Sequence, residues 1–87
     1  MAIRKLVIDV LIPHEPGEIA FAEKISEMDG ISVNIRVIEV DEKTKTTEMT
    51  IEGAGLSFED IKKAIEEMGG SVHSVDQVFA GPDTDRA

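Results

Sequence analysis

The sequence predicts an α+β domain in which two helices pack on one face of a four-stranded antiparallel sheet. Three observations lead there. Two stretches carry apolar residues at helical spacing, and four carry the two-residue alternation of strands. Turn residues separate every pair of stretches, and the order along the chain is β-α-β-β-α-β.

Ile3 to Ile12 reads as the first strand, with Leu6, Ile8, Val10 and Ile12 on one face and Lys5, Val7, Asp9 and Leu11 on the other. Pro13-His14-Glu15-Pro16-Gly17 stops it. Pro16 suits a first helical turn, where its missing N–H is no loss. The first helix is expected to run to about Met28, with Phe21, Ala22, Ile25 and Met28 on its apolar stripe and Gly30 as a left-handed cap. Ile31 to Val40 is the second strand, and Ile31, Val33, Ile35 and Val37 share a face. A polar turn at Asp41-Glu42-Lys43-Thr44-Lys45 leads into Thr46–Glu52, where Thr47, Met49 and Ile51 alternate with Glu48, Thr50 and Glu52. Ser57 and Asp60 resemble a capping box at the start of the second helix, whose stripe is Phe58, Ile61, Ala64, Ile65 and Met68. Gly69-Gly70 ends it, and Val72–Ala80 forms the last strand. Residues 1–81 are thus read as one domain, and residues 82–87 have no pattern and read as a flexible C-terminal tail.

This order is that of the ferredoxin-like fold, and right-handed crossovers select the spatial order 4-1-3-2. A chain of 87 residues has room for one domain. It buries only about 60–65% of the surface its unfolded form exposes, so its core is thin.

Composition narrows the chemistry. With no cysteine, disulfides, thiolate catalysis and iron–sulfur clusters are excluded. Nine Lys and Arg stand against eighteen Asp and Glu, a net charge of −9. That field repels phosphate backbones and anionic membranes and attracts cations, so nucleic acid is not an expected partner. No apolar run reaches membrane-spanning length, and the first residues lack the pattern of a signal peptide, so a cytoplasmic protein is expected. Few thermolabile residues beside many Glu and Lys lean towards a thermophile.

Known site patterns are missing. The glycine pairs lack a phosphate-loop lysine, and His14-Glu15 has no second histidine at metalloprotease spacing. Asp41 to Glu48 lacks the rhythm of an EF-hand. The aromatics that RNA-binding relatives of the fold place on the first and third strands are absent. Ser71 and Ser74 flank His73, but neighbours on a regular strand point to opposite faces, so a nucleophile–base pair is poorly placed.

The topology sets the end of strand 1 beside the start of strand 4. His14 and His73 are therefore expected near one rim, together with Glu39, Asp41 and Glu42. If Ile12 lies opposite His73, Asp9 lies opposite Asp76, and two opposed carboxylates repel unless a cation joins them. Oxygen ligands suit calcium or magnesium, so Asp9 and Asp76 are the candidate metal ligands. The face away from the helices is expected to carry Val7, Leu11, Ile38 and Val40 alongside Asp9, Asn34 and Arg36. That apolar content, with a long edge strand 2, predicts a homo-oligomer.

The stretches RKLVIDVLIPHEP, IRVIEVDEKT, MTIEG and GGSVHSVDQVFAG resemble those of the archaeal domain-of-unknown-function 211 family over roughly Ile3 to Gly81. The resemblance implies a ferredoxin-like fold, a ring-like or otherwise multimeric assembly, an archaeal source and no assigned activity. Its motif residues fall on Asp9, His14, Glu15, Pro16, His73, Ser74 and Asp76. That adds His14, Glu15, His73 and Ser74 as candidate ligand-binding residues. Gln77 stands where the family usually has an acid and Phe79 where it has a small aliphatic.

The leading functional expectation is an oligomeric binding or regulatory module for a divalent cation or small metabolite. A structural assembly protein is the first alternative. An enzyme using His14 or His73 as acid or base is the second.

Overall fold

A computed structural model describes residues 2–82. Its elements follow in the expected order: β1 (Ala2–Pro13), α1 (Gly17–Ser26), β2 (Ser32–Val40), β3 (Thr44–Glu52), α2 (Phe58–Glu67) and β4 (Ser71–Gly81). The sheet runs β2-β3-β1-β4 with every neighbour antiparallel, which is the expected order read from the other edge. Of the expected C-terminal tail, residues 83–87 lie outside the described residues.

The core forms where the alternating faces meet the helix stripes. Leu6, Ile8, Val10 and Ile12 of β1 and Met49 and Ile51 of β3 pack against Phe21 and Ile25 of α1 and Ile61 and Ile65 of α2. Thr47 is the buried polar side chain among them, and its Oγ1 donates to the Val10 carbonyl at 2.8 Å. That bond removes the cost of an unsatisfied hydroxyl at the centre of the sheet.

Both helices are shorter or tighter than their apolar stripes. α1 ends at Ser26, two residues before the expected Met28, because Glu27 and Met28 donate to the carbonyls three residues back and wind the last turn down. Met28 still packs against the core from beyond the helix. α2 starts as expected, with the Asp60 N–H donating to Ser57 Oγ at 3.3 Å. Gly70 then lets β4 begin directly under the helix. A Cβ there would lie 2.7 Å from Ile65 Cγ2 and 3.0 Å from Phe21 Cε2.

β4 departs most from expectation. Its register against β1 shifts three times, once through an extra β1 residue, Arg4, and twice through extra β4 residues: Val7 pairs with Gln77 but Ile8 with Val75, and Asp9 pairs with Ser74 but Val10 with Val72. Asp76 and His73 are the extra residues at these two bulges. The expected opposition of Ile12 to His73 and of Asp9 to Asp76 is therefore corrected, since a bulge adds one residue to one strand and moves everything beyond it. The slips have a reason in the sequence. Val72, Val75 and Val78 recur every third residue, and they pair with the buried Val10, Ile8 and Leu6. A regular strand cannot put residues three apart on one face, whereas one extra residue per interval can.

Candidate functional site

The side chains that carry charge gather on the sheet face opposite the helices. Successive cross-strand rows there are Leu11 with Thr46, Asp9 with Glu48, Val7 with Thr50, and Lys5 with Glu52. β2 extends them with Glu39, Arg36, Asn34 and Ser32, and β4 with Ser71, Ser74, Gln77 and Phe79. This face is mainly polar. Of the expected apolar group, Val7 and Leu11 lie on it, but the placement of Ile38 and Val40 is corrected. Val40 pairs with Lys45, which pairs with the buried Ile12, so it belongs to the helix side. Ile38 is the extra residue where β2 slips between Val37 and Glu39.

Asp9 sits at the centre of the most highly charged row. On one side it faces Glu48, and directly opposed residues have Cβ atoms only about 5 Å apart. Glu48 is itself paired with Arg36 of β2 at 3.3 Å. On the other side Asp9 faces Ser74, whose Oγ donates to Asp76 Oδ1 at 2.7 Å. Asp76 is thus not opposite Asp9, but the Ser74 hydroxyl ties its carboxylate to the residue that is. Among the described residues, no group of three or more His, Asp or Glu side chains is close enough to hold a metal ion.

The two histidines are not brought together. β1 carries His14 past the end of β4's partnership and towards β2, where Nε2 donates to the Asp41 carbonyl at 2.7 Å. That bond puts the proton on Nε2. His73 stands on the other side of β1, exposed at the β4 bulge between the Ser74 and Val72 pairings. Glu15 is exposed in the loop before α1. Nearby, Lys45 Nζ donates to Glu18 Oε1 at 2.8 Å. The Lys45 bond holds the Glu18 carboxyl below its ordinary value, helped by Glu18's own backbone N–H and by the charges of Lys45 and His14, against a smaller effect of burial. The sequence reading placed Asp41 at this rim but not the Glu18–Lys45 pair. It also passed over Glu48, although its alternation with Met49 put it on the face of Asp9.

The chain matches the family model described as "Uncharacterized ArCR", domain of unknown function 211, over residues 4–84. The chain belongs to the DUF211 family. It is 45% identical over 80 residues to "Uncharacterized protein MJ0319" of the archaeon Methanocaldococcus jannaschii, across 91% of this chain and 82% of that protein. Of the candidate site residues, Asp9 lies on β1, His14 and Glu15 on the loop into α1, and His73, Ser74 and Asp76 on β4. His73 and Asp76 occupy the two β4 bulges, outside the ladder register. No helix among the described residues is long and apolar enough to cross a membrane.

Proposed function

We propose that this DUF211 protein is a binding module that holds a divalent cation, calcium or magnesium, at Asp9 and Asp76 within a homo-oligomer. The observation that carries this reading is the arrangement around Asp9. One neighbour in its row is a second carboxylate, Glu48, and the other is the hydroxyl that holds a third, Asp76. Like charges opposed across a sheet are destabilising, and a cation converts that repulsion into attraction. The donors are all oxygen, which suits hard cations rather than zinc or copper. Calcium takes six to eight oxygens, more than these side chains supply, so water or a second copy completes the shell.

Support for the oligomer comes from the two edge strands. Val75 and Val78 on β4 are 44% and 53% exposed, and Ile38 and Val40 on β2 are 53% and 61% exposed. β2 and β4 run in opposite senses, so β4 of one copy can extend the antiparallel ladder onto β2 of the next. His14, fixed to the Asp41 carbonyl, serves the loop into α1 rather than proton transfer in this reading. A bound small metabolite would use the same face, with Ser74 and His73 at its margin.

Isothermal titration with calcium and magnesium chloride tests the proposal. Saturable binding of at least one ion is expected, weakened at least tenfold in Asp9→Asn and in Asp76→Asn and unchanged in His14→Ala. No saturable binding at millimolar ion would overturn it.

A further inference from the structure

A hollow of about 800 Å³ lies at the other end of the same face, two rows beyond Asp9. Side chains two residues apart on a strand are about 7 Å apart, so roughly 13 Å separates Lys5 from Asp9. One cross-strand row lines the hollow and runs over all four strands: Ser32 of β2, Glu52 of β3, Lys5 of β1 and Phe79 of β4. Gln77 joins it from the next row, and Gly30, Gly53 and Ala54 add little bulk at its margin. Arg4 also reaches the hollow, with its Nη1 donating to the Pro82 carbonyl at 2.9 Å.

The row sets opposite charges side by side. Lys5 and Glu52 are directly opposed, which places their Cβ atoms about 5 Å apart. Among the described residues, neither forms an ion pair or a side-chain hydrogen bond. Both charges therefore face the hollow's contents. An anion at Lys5 meets repulsion from Glu52, and a cation at Glu52 meets repulsion from Lys5. A ligand carrying both charges on neighbouring groups satisfies the two at once, through charge-assisted hydrogen bonds. Such a ligand is neutral overall, so the chain's net charge of −9 does not repel it.

Across the ladder from Lys5, the Phe79 ring is 53% exposed. It lies along Gly81, where a Cβ would come within 3.5 Å of its Cζ. One side of the ring is therefore supported and the other is open to a flat group.

We infer that this hollow binds a free α-amino acid with an aromatic side chain. The ligand's carboxylate accepts from Lys5 Nζ, and its ammonium donates to the Glu52 carboxylate. The Ser32 hydroxyl, next to Glu52 in the row, accepts a further ammonium hydrogen, and the Gln77 amide donates to the ligand carboxylate. Neighbouring strands are about 5 Å apart, so a benzyl group starting above Lys5 reaches Phe79 and a methyl group does not. Two aromatic rings pack offset or edge to face, and the open side of Phe79 admits either arrangement. A volume of about 800 Å³ falls within the range of small-molecule sites. The inference does not depend on a cation at Asp9.

The test is a titration of ¹⁵N-labelled protein with L-phenylalanine, L-alanine, N-acetyl-L-phenylalanine and L-phenylalanine amide, followed by amide shifts. Saturable shifts with L-phenylalanine are expected at Lys5, Ser32, Glu52 and Phe79. The acetyl compound lacks the ammonium, the amide lacks the carboxylate and alanine lacks the ring, so each should bind at least tenfold more weakly. Glu52→Gln and Lys5→Met should each weaken L-phenylalanine at least tenfold, with unchanged spectra elsewhere reporting an intact fold. Asp9→Asn should retain it within threefold. The inference is overturned if L-phenylalanine at millimolar concentration moves none of these amides. It is equally overturned if any of the three analogues binds as tightly as L-phenylalanine, or if Glu52→Gln and Lys5→Met leave its binding unchanged.

Discussion

At the scale of single residues, Glu18 and Lys45 join α1 to the β2–β3 hairpin, and His14 ties the intervening loop to the same hairpin. The pair has a definite pH signature. The folded-state carboxyl of Glu18 is lowered, so its contribution to stability is complete above the ordinary glutamate range and is lost as pH falls through the lowered value. Both side chains are partly exposed, and solvent limits such a pair to about 1 kcal/mol or less. Lys45→Met should therefore lower the midpoint of urea unfolding slightly at pH 7. The difference from the parent should shrink as the pH falls through the acid range. A variant whose deficit stays constant down to pH 2 would show that Lys45 acts through packing instead.

At the scale of elements, β4 separates what was legible in the sequence from what was not. β1 and β3 alternate cleanly, so their faces and their core residues could be read directly. β4 carries the same information in a different period. Its valines recur at intervals of three, and each interval holds one residue too many for a regular strand. Treating that stretch as regular put Asp76 opposite Asp9, when the partner is Ser74. Glu48 was on the right face, but only the β1–β3 register shows that it opposes Asp9. The bulges also make a prediction. Deleting Asp76 leaves Ser74, Val75, Gln77 and Val78 in strict alternation, so the ladder closes up without moving a valine off its face. The deletion should cost about 1 kcal/mol or less, whereas deleting Val75 puts Asp76 in its place on the helix side and should cost more. Chemical denaturation of the two variants decides this. Equal destabilisation would mean that the bulge at Asp76 is not what accommodates the three-residue spacing.

At the scale of the whole molecule, the helices protect one face and leave the other to chemistry. That open face has two ends of different character. Around Asp9 it concentrates carboxylates, and around Lys5 it sets charges of both signs, Arg4, Lys5 and Glu52, beside the exposed Phe79 ring. A net charge of −9 disfavours close approach of copies unless cations intervene, while the apolar edges of β2 and β4 favour it. Binding and assembly are thus expected to be linked, since an ion that binds the assembled form better stabilises it by mass action. Native mass spectrometry of the protein with and without calcium or magnesium tests this most directly. The account predicts a homo-oligomer carrying a stoichiometric number of divalent ions, with the ions lost in Asp9→Asn and Asp76→Asn. A monomer that retains no ion, or an oligomer whose ion content is the same in both variants, would contradict it.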